Sequence, residues 1–298
     1  MTQTHGEIRR RLGLAGLAPL KQYGQHFLID GNLMDKLVEA VELETTDTVL
    51  EVGPGTGALT ERLLEKAGAV LAVEIDRGLY QLCNTYLADK KTQGASLTII
   101  HGDILENKST LNRAVLEVLI ETRSRLGGRM VLVANLPYQI STPLLIELLM
   151  GDLGIDPLCC TVQAEVGERL LATAGNRTYG PISVFAQARA RMTRVARLGP
   201  EAFWPRPEVD SVMLRMEMRS DVVLSAPCRQ CLRNLVRGCF NHRRKTMQSN
   251  LKTLLSEKQF ARVQETGRWN LNDRPERITP EQWLDLANYL IDEYSLKT

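Results

Sequence analysis

The stretch Thr48-Val-Leu-Glu-Val-Gly-Pro-Gly-Thr-Gly57 decides the fold of this 298-residue chain. Thr48–Val52 is a mostly apolar run, which predicts a buried strand, and Gly53–Gly57 predicts the turn that ends it. The pattern of Ala58–Ala67 predicts a helix directly after the turn. Because glycines at the carboxyl end of a strand let a ligand approach the backbone, the stretch predicts an α/β domain with a ligand-binding crevice here.

Strand and helix patterns alternate along the first 150 residues. Helices are predicted near Asn32–Glu42, Arg77–Leu87, 109–126 and Pro143–Met150, and strands at Ala69–Glu74, Leu97–Ile100 and Met130–Ala134. This alternation predicts a parallel sheet covered by helices on both faces. Three further strands are predicted, at Leu158–Gln163, Ile182–Ala190 and Ser211–Met218. From about residue 225 the pattern is purely helical, so we expect a small all-helical domain there.

The composition excludes other classes of protein. The chain has 37 Lys and Arg against 35 Asp and Glu, and 44% of its residues are hydrophobic, so extensive disorder is excluded. No run of about 18 apolar residues exists, which excludes a membrane-spanning helix. The apolar segment Leu12–Leu20 is short and broken by Gly and Pro, so we expect an N-terminal arm rather than a signal peptide. Six cysteines without a secreted disulfide pattern favour a cytoplasmic protein.

The net charge of +2 hides an uneven distribution. Residues 1–150 carry 15 basic and 18 acidic side chains, whereas residues 151–298 carry 22 and 17. Residues 222–256 contain no acid and seven bases: Arg229, Arg233, Arg237, Arg243, Arg244, Lys245 and Lys252. Such a block indicates either a face that binds a polyanion or an ordinary solvated helix face.

Two carboxylates follow the predicted strands next to the glycine turn. Glu74 ends the second strand, where a carboxylate can accept hydrogen bonds from both hydroxyls of a ribose. Together with the turn it predicts a nucleoside cofactor, either a dinucleotide or S-adenosylmethionine, although G-x-G-x-G departs from the dinucleotide pattern. Asp103 follows the third strand and is expected either to accept from the adenine amine of the cofactor or to cap a helix.

The four residues Asn135-Leu136-Pro137-Tyr138 follow the fourth strand and are the most informative motif. A ring that stacks, with an amide oxygen and a backbone carbonyl that accept from an exocyclic amine, forms a slot for an unpaired base. Two acceptors on adenine N6 favour a pyramidal, more nucleophilic nitrogen, which could take a methyl group directly, without a metal or a covalent intermediate. The alternative is a tight turn with a core tyrosine.

A second aromatic residue stands on the loop Phe203-Trp-Pro-Arg-Pro-Glu-Val-Asp-Ser211. Because prolines stiffen this loop just before a strand, Phe203 could sandwich the target base opposite Tyr138. The alternative is that the ring packs on the core.

The spacing of Cys228, Cys231, Cys239 and His242 superficially resembles a zinc site. On a continuous helix these residues share one face but extend over about 21 Å, too far for one tetrahedral ion. We therefore predict no metal site and a buried stripe of cysteines. The opposite face of the same helix then presents a row of arginines suited to phosphates: Arg229, Arg233, Arg237 and Arg244.

Taken in order, these motifs resemble those of the ribosomal RNA adenine N6-dimethyltransferase family of the small-subunit type, from about Lys21 to Leu255. The matching segments are Gln25–Leu28, Glu51–Thr60, Val73–Asp76, Gly102-Asp103, Asn135–Pro143, Glu165–Arg169, Tyr179–Ser183, Phe203–Ser211 and Arg243–Thr246. The resemblance implies a Rossmann-like methyltransferase domain, at 29–220 after an arm at 1–28, and a helical RNA-binding domain at 221–298. It implies S-adenosylmethionine as cofactor, bound by His26, Leu28, Gly53, Gly55, Glu74, Asp103 and Asn135.

The resemblance also implies the substrate and the catalytic residues. Two adjacent adenosines in the 3′-terminal hairpin loop of small-subunit (16S) rRNA would be dimethylated, in ribosome biogenesis, with the base held by Asn135, Leu136, Tyr138 and Phe203. The expected RNA contacts are Arg229, Arg233, Arg237, Arg243, Arg244 and Lys245. We expect a monomer that acts on a partly assembled 30S subunit, without a membrane.

One departure and three alternatives accompany this assignment. The family usually has Asn where this chain has His26, whose charge depends on pH. The sister enzymes that methylate one adenine of 23S rRNA and confer macrolide resistance typically have Ile where Leu136 stands. A non-catalytic RNA-binding assembly factor is disfavoured by intact Asn135, Tyr138 and Glu74. An NAD-dependent dehydrogenase is disfavoured by the absence of G-x-G-x-x-G.

Overall fold

The computed structural model describes residues 4–88, 95–107 and 110–295. Residues 1–3 of the predicted arm, residue 109 of the predicted helix 109–126 and residues 296–298 of the predicted helical domain lie outside the described residues. The strands are β1 (Phe27–Leu28), β2 (Thr48–Val52), β3 (Ala69–Glu74), β4 (Ser96–His101), β5 (Leu105–Asn107), β6 (Thr110–Leu111), β7 (Met130–Asn135), β8 (Ile155–Gln163), β9 (Ala190–Leu198), β10 (Phe203–Trp204) and β11 (Ser211–Met218).

The helices alternate with these strands in the first part of the chain and follow one another in the last. They are α1 (His5–Leu14), α2 (Gly31–Glu39), α3 (Ala58–Leu64), α4 (Arg77–Leu87), α5 (Arg113–Leu126), α6 (Tyr138–Met150), α7 (Ala164–Leu171), α8 (Pro181–Arg189), α9 (Ala226–Asn241), α10 (Met247–Leu254), α11 (Glu257–Thr266) and α12 (Pro280–Ser295). None of these described helices is both long and apolar enough to cross a membrane.

Seven strands form the main sheet, in the order β4-β3-β2-β7-β8-β11-β9. The pairs from β4 to β8 are parallel, whereas β11 runs antiparallel to β8. Every residue of β2 and β3 is buried, as expected of strands with helices on both faces. The predicted parallel sheet is thus confirmed, and the carboxyl ends of β2, β3 and β7 meet at one edge, where Gly53, Glu74 and Asn135 stand.

The N-terminal arm packs against that edge through a small apolar cluster. In α1, Ile8 and Leu12 are buried beside Phe27 and Leu79. The pair β1–β10 sets Phe27 opposite Trp204 and Leu28 opposite Phe203, with the Phe27 and Trp204 rings stacked 6.2 Å apart. These contacts hold Phe27 and Leu28, at the end of the arm, beside the glycine turn.

Contacts divide the described chain into two compact units, 4–167 with 192–218, and 168–191 with 219–295. Residues 168–191, which the sequence prediction placed in the methyltransferase domain, thus cluster with the C-terminal helices. The prediction of a strand at Ile182–Ala190 was wrong, because Ile182–Arg189 lie in α8, with Pro181 at its first turn, and Ala190 begins β9. A short apolar run suits a buried helix as well as a strand, and α8 packs on α9 and α12.

Candidate functional site

A cleft of about 280 Å³ lies at the carboxyl ends of β2, β3 and β7. It brings together most of the residues that the sequence predicted to bind a cofactor or a base. Those that line it are His26, Gly53, Gly55, Glu74, Asp103, Asn135, Leu136 and Tyr138, and Leu28 lines an adjoining smaller pocket with Glu51 and Asn135.

The glycine turn owes its shape to left-handed backbone angles. Gly53 has φ 73° and Gly55 has φ 57°, a region that side-chain-bearing residues rarely adopt. A Cβ atom on Gly55 would lie 2.9 Å from the Phe27 ring. The turn therefore needs glycine both for its conformation and for the close approach of β1.

Glu74 is fixed in the wall of the cleft by two backbone donors. Its Oε2 accepts from the amide of Gly55 at 3.1 Å, and its Oε1 accepts from the amide of Asp76 at 3.0 Å. Its side chain is almost fully buried, and this burial raises the pKa of Glu74 to about 7. An oriented carboxylate with unused lone pairs fits the two hydroxyls of a ribose.

A second buried carboxylate, Glu51, lies behind the turn. It is 2% exposed, and among the described residues its Oε2 has no hydrogen-bond partner. Burial raises the pKa of Glu51 to about 8, and the nearby charge of Glu74 adds to the effect. An ammonium group of a ligand can donate to this oxygen, and the positive charge of an ammonium or a sulfonium favours the ionised form of the carboxyl group.

Asp103 stands at the rim of the cleft and organises the turn after β4. Its Oδ1 accepts from the amide of Leu105 at 2.9 Å. The alternative of a helix cap was wrong, because β5 follows Asp103 instead of a helix. The role toward the adenine amine of a cofactor stays a prediction.

Asn135, the last residue of β7, is held at both ends of its amide. Its Nδ2 donates to the backbone carbonyl of His26 at 2.9 Å, and its Oδ1 accepts from the hydroxyl of Thr161. The side chain is half-buried at the cleft. The amide is thus presented in one orientation before any ligand binds.

Tyr138 is also fixed, at its hydroxyl and on one face of its ring. The hydroxyl lies 2.8 Å from the buried Ser211 Oγ, and the His26 ring stacks at 5.3 Å between centroids. His26 Nδ1 lies 2.7 Å from the carbonyl of Pro205, which can only accept, so Nδ1 carries the proton. His26 therefore ties the segment after α1 to the Phe203–Ser211 loop.

The structure does not place Phe203 opposite Tyr138. Phe203 is only 3% exposed and packs in the core cluster with Leu28, Met34 and Met213. Pairing of β10 with β1 turns Phe203 toward this core and Trp204 to the other side, against Phe27. In this conformation the aromatic partner of Tyr138 is His26, and the prediction of a Phe203 sandwich is not met.

The predicted arginine row divides into exposed and engaged side chains. Exposed are Arg237, Arg244 and Lys245, whereas Arg229 and Arg233 are half-buried, and Arg229 donates to the carbonyl of Leu224 at 2.6 Å. Arg243 forms an ion pair with Glu276 at 2.6 Å and donates to the carbonyl of Arg177. Arg243 thus fastens elements of the helical unit together.

The predicted cysteine stripe is confirmed for Cys228 and Cys239 only. Cys231 is half-buried, and His242 is exposed and lies beyond the last residue of the helix, because α9 ends at Asn241. Helix α9 runs unbroken from Ala226 to Asn241, with Cys228 and Cys239 buried on the face of Leu232 and Leu235. In the described part of the chain, no group of three or more His, Cys, Asp or Glu side chains is placed to hold a metal ion.

Comparison with known proteins connects this geometry to a family. The family model described as ribosomal RNA adenine dimethylase matches residues 19–292. The chain belongs to this family. The match confirms the predicted activity, that of an S-adenosylmethionine-dependent rRNA adenine dimethyltransferase. Glu74, the glycine turn and the unpartnered Glu51 oxygen fit its cofactor's ribose and cationic groups.

Relatives in sequence and in structure agree with the assignment. Ribosomal RNA small subunit methyltransferase A of Moorella thermoacetica is 41% identical over 243 residues, which cover 82% of each protein. The protein of that name from Levilactobacillus brevis is 34% identical, over 93% of this chain and 92% of its own length. A dimethyladenosine transferase from Plasmodium falciparum superposes with a TM-score of 0.72 at 22% identity, covering 90% of this chain and 98% of that one. This likeness confirms the predicted Rossmann-like fold.

Sequence reasoning missed three residues of the site. Thr161 and Ser211 bond Asn135 and Tyr138 from strands that lie beyond β7 in the sheet, and only the register reveals these contacts. Glu51 lies within the predicted buried strand Thr48–Val52. An acid in such a run is itself a signal of function, because burying a carboxyl group without a partner costs free energy.

Proposed function

We propose that this protein transfers methyl groups from S-adenosylmethionine to N6 of two adjacent adenosines in the 3′-terminal hairpin loop of small-subunit (16S) rRNA, dimethylating each. The observation that carries the proposal is the cleft itself. Asn135, Leu136 and Tyr138 stand beside Glu74 and the glycine turn, so a base amine and a nucleoside cofactor would meet at one strand edge. Relatives named small subunit methyltransferase A support the choice of subunit.

The residues that line the cleft fall into two groups, those that would bind the cofactor and those that would bind the target base. Glu74 would hold the ribose of the cofactor, Glu51 its cationic end, and Asp103 its adenine. The Oδ1 of Asn135 and the carbonyl of Leu136 would accept from the two N6 hydrogens of the target base, while the Tyr138 ring stacks on it. When bound, S-adenosylmethionine would supply an electrophilic methyl group for the N6 amine that these residues hold.

The RNA backbone would be bound by the helical unit. Arg237, Arg244 and Lys245 are exposed there, and phosphates attract such groups with a strong dependence on salt. We further propose a cytoplasmic monomer that acts on a partly assembled 30S subunit, since hairpin loops of rRNA are positioned by the particle that carries them.

A methyl-transfer assay with isolated ribosomal subunits tests the proposal. Purified protein is incubated with labelled S-adenosylmethionine and unmethylated small subunits, large subunits or free 16S rRNA. We expect four methyl groups per small subunit, two for each of two adenosines, and none on large subunits. Label confined to large subunits would show the macrolide-resistance activity instead, and rRNA binding without transfer would show a non-catalytic factor.

A further inference from the structure

The pairing of β7 with β8 contains an irregularity that changes the neighbour of Asn135. Met130 pairs with Ile155, but Leu132 pairs with Leu158, so β8 carries one extra residue between these pairs. From there the shifted register continues, and Thr161 stands opposite Asn135. Without the extra residue, Cys160 would stand there. A shift of one residue in register changes which side chains stand opposite each other along the rest of the pair.

The shifted register places a hydroxyl donor where the amide needs one. The Oδ1 of Asn135 has two lone pairs, and the Thr161 hydroxyl uses one of them. The Nδ2 has two hydrogens, and the His26 carbonyl takes one at 2.9 Å. The amide plane is thereby held by two anchors on opposite sides. One lone pair of Oδ1 is left for an amine in the cleft.

Thr161 is suited to this task by its surroundings. It is completely buried, so water cannot replace its hydroxyl as a donor. The thiol of Cys160 would be a poor substitute, because S–H is a weak donor. The hydroxyl therefore supplies a strong, water-free hydrogen bond at the strand end that carries the base-binding motif.

We propose that Thr161 is a positioning residue for methyl transfer. Its hydroxyl fixes the Asn135 amide with one Oδ1 lone pair aimed at the N6 amine of the target adenine, and it touches neither substrate nor cofactor. The proposal rests on the proposed function for the identity of the amine. Without the hydroxyl, Oδ1 would face a methyl group and the amide would turn about its last side-chain bond, so fewer encounters would present the acceptor to N6.

The test compares variants at Thr161 with the same exchange at another buried threonine. Thr161→Val removes the hydroxyl and keeps the branched shape, and Thr161→Ala is a second hydroxyl-free form. Thr161→Ser restores the hydroxyl. Thr48→Val is the matched control. Thr48 is as buried as Thr161 and lies in the same sheet, at the end of β2 that is away from the cleft, and its Oγ1 has no partner among the described residues.

Two readouts separate positioning from a structural role. We expect Thr161→Val and Thr161→Ala to lower kcat on unmethylated small subunits by about 5- to 10-fold, with the Kd of S-adenosylmethionine within about 2-fold. Thr161→Ser and Thr48→Val should stay within about 3-fold of the starting kcat. In ligand-free protein, the side-chain NMR signals of the Asn135 amide should broaden in Thr161→Val and stay sharp in Thr161→Ser.

The opposite results would overturn the proposal. These are an unchanged Asn135 amide signal in Thr161→Val, a kcat no lower than that of Thr48→Val, or a Thr161→Ser variant as slow as Thr161→Val. An equal loss of cofactor binding and kcat would show a structural role. Failure of the proposed function would give a different result: the protein without any substitution would transfer no methyl group. The NMR signal of the Asn135 amide is measured without substrate, so it tests the role of Thr161 in either case.

Discussion

The pH dependence of cofactor binding provides a quantitative test of Glu74. Burial raises the pKa of Glu74 from 4.5 to about 7, so its carboxyl group is mostly protonated at pH 6 and mostly ionised at pH 8 in the ligand-free protein. Hydroxyl groups of a ribose donate to the ionised form and stabilise it, which lowers the pKa in the complex. Binding then releases a proton, and affinity rises as the pH rises.

The size of the effect follows from the same value. If Glu74 is ionised throughout in the complex, the protonated fraction of the free protein sets the loss of affinity at low pH. With a pKa of about 7, the Kd of S-adenosylmethionine should fall about 10-fold between pH 6 and pH 8. At pH 7, where half of the free protein is protonated, binding should release about 0.5 proton from this group.

Calorimetric titration in two buffers of different ionisation enthalpy measures both quantities. The control is Glu74→Gln, which cannot ionise, and the ligand's own titration is common to both proteins. A third titration, of Glu51→Gln, separates the contribution of the other buried carboxyl group. The reasoning is refuted if Glu74→Gln binds more weakly but keeps the full pH dependence, or if the unchanged protein shows no pH dependence beyond that of the ligand.

Three other predictions concern catalysis, RNA binding and stability. Asn135→Ala should lower kcat by about 10²- to 10³-fold while rRNA affinity in a filter-binding assay stays the same, and equal losses would contradict its role. Removing three exposed charges should flatten the slope of log K against log salt by about 2. The residues changed to Ala are Arg237, Arg244 and Lys245. An unchanged slope would show that these three side chains are only solvated. Arg243→Ala breaks the ion pair with Glu276 within the helical unit and should lower the melting temperature instead. Glu51→Gln should raise the free energy of unfolding near pH 8 by up to about 5 kcal/mol, as measured by urea titration. The reason is that the pKa of Glu51 is higher in the folded than in the unfolded protein, so its contribution to stability is lost as the pH rises from 4.5 to about 8. A variant less stable than the parent at pH 8 would contradict this.

The sequence predicted the sheet and the strand-end motifs well for a physical reason. Buried parallel strands such as Thr48–Val52 and Ala69–Glu74 are short apolar runs ended by glycine or an acid. For both strands the predicted first and last residues are those of the structure. Glu74 and Asn135 could be placed together because the carboxyl ends of parallel strands share one edge. Local pattern and global fold agree at these positions.

Other features depend on contacts that no local pattern contains. Ile182–Ala190 has apolar residues on every side, which suits a buried helix or a strand, and packing on α9 and α12 decides for the helix. The ring of Phe203 could turn toward the cleft or the core, and pairing with β1 directs it to the core. The contact of Thr161 with Asn135 depends on a one-residue shift in register between strands 20 residues apart in the chain.

The nature and position of the modified nucleotides test the central claim most directly. Unmethylated small subunits are incubated with S-adenosylmethionine and either the unchanged protein or Asn135→Ala, and the 16S rRNA is digested and mapped by mass spectrometry. The account predicts two adjacent N6,N6-dimethyladenosines in the 3′-terminal hairpin loop with the unchanged protein and almost none with Asn135→Ala. Methylation at other positions, or equal methylation by both proteins, would contradict it.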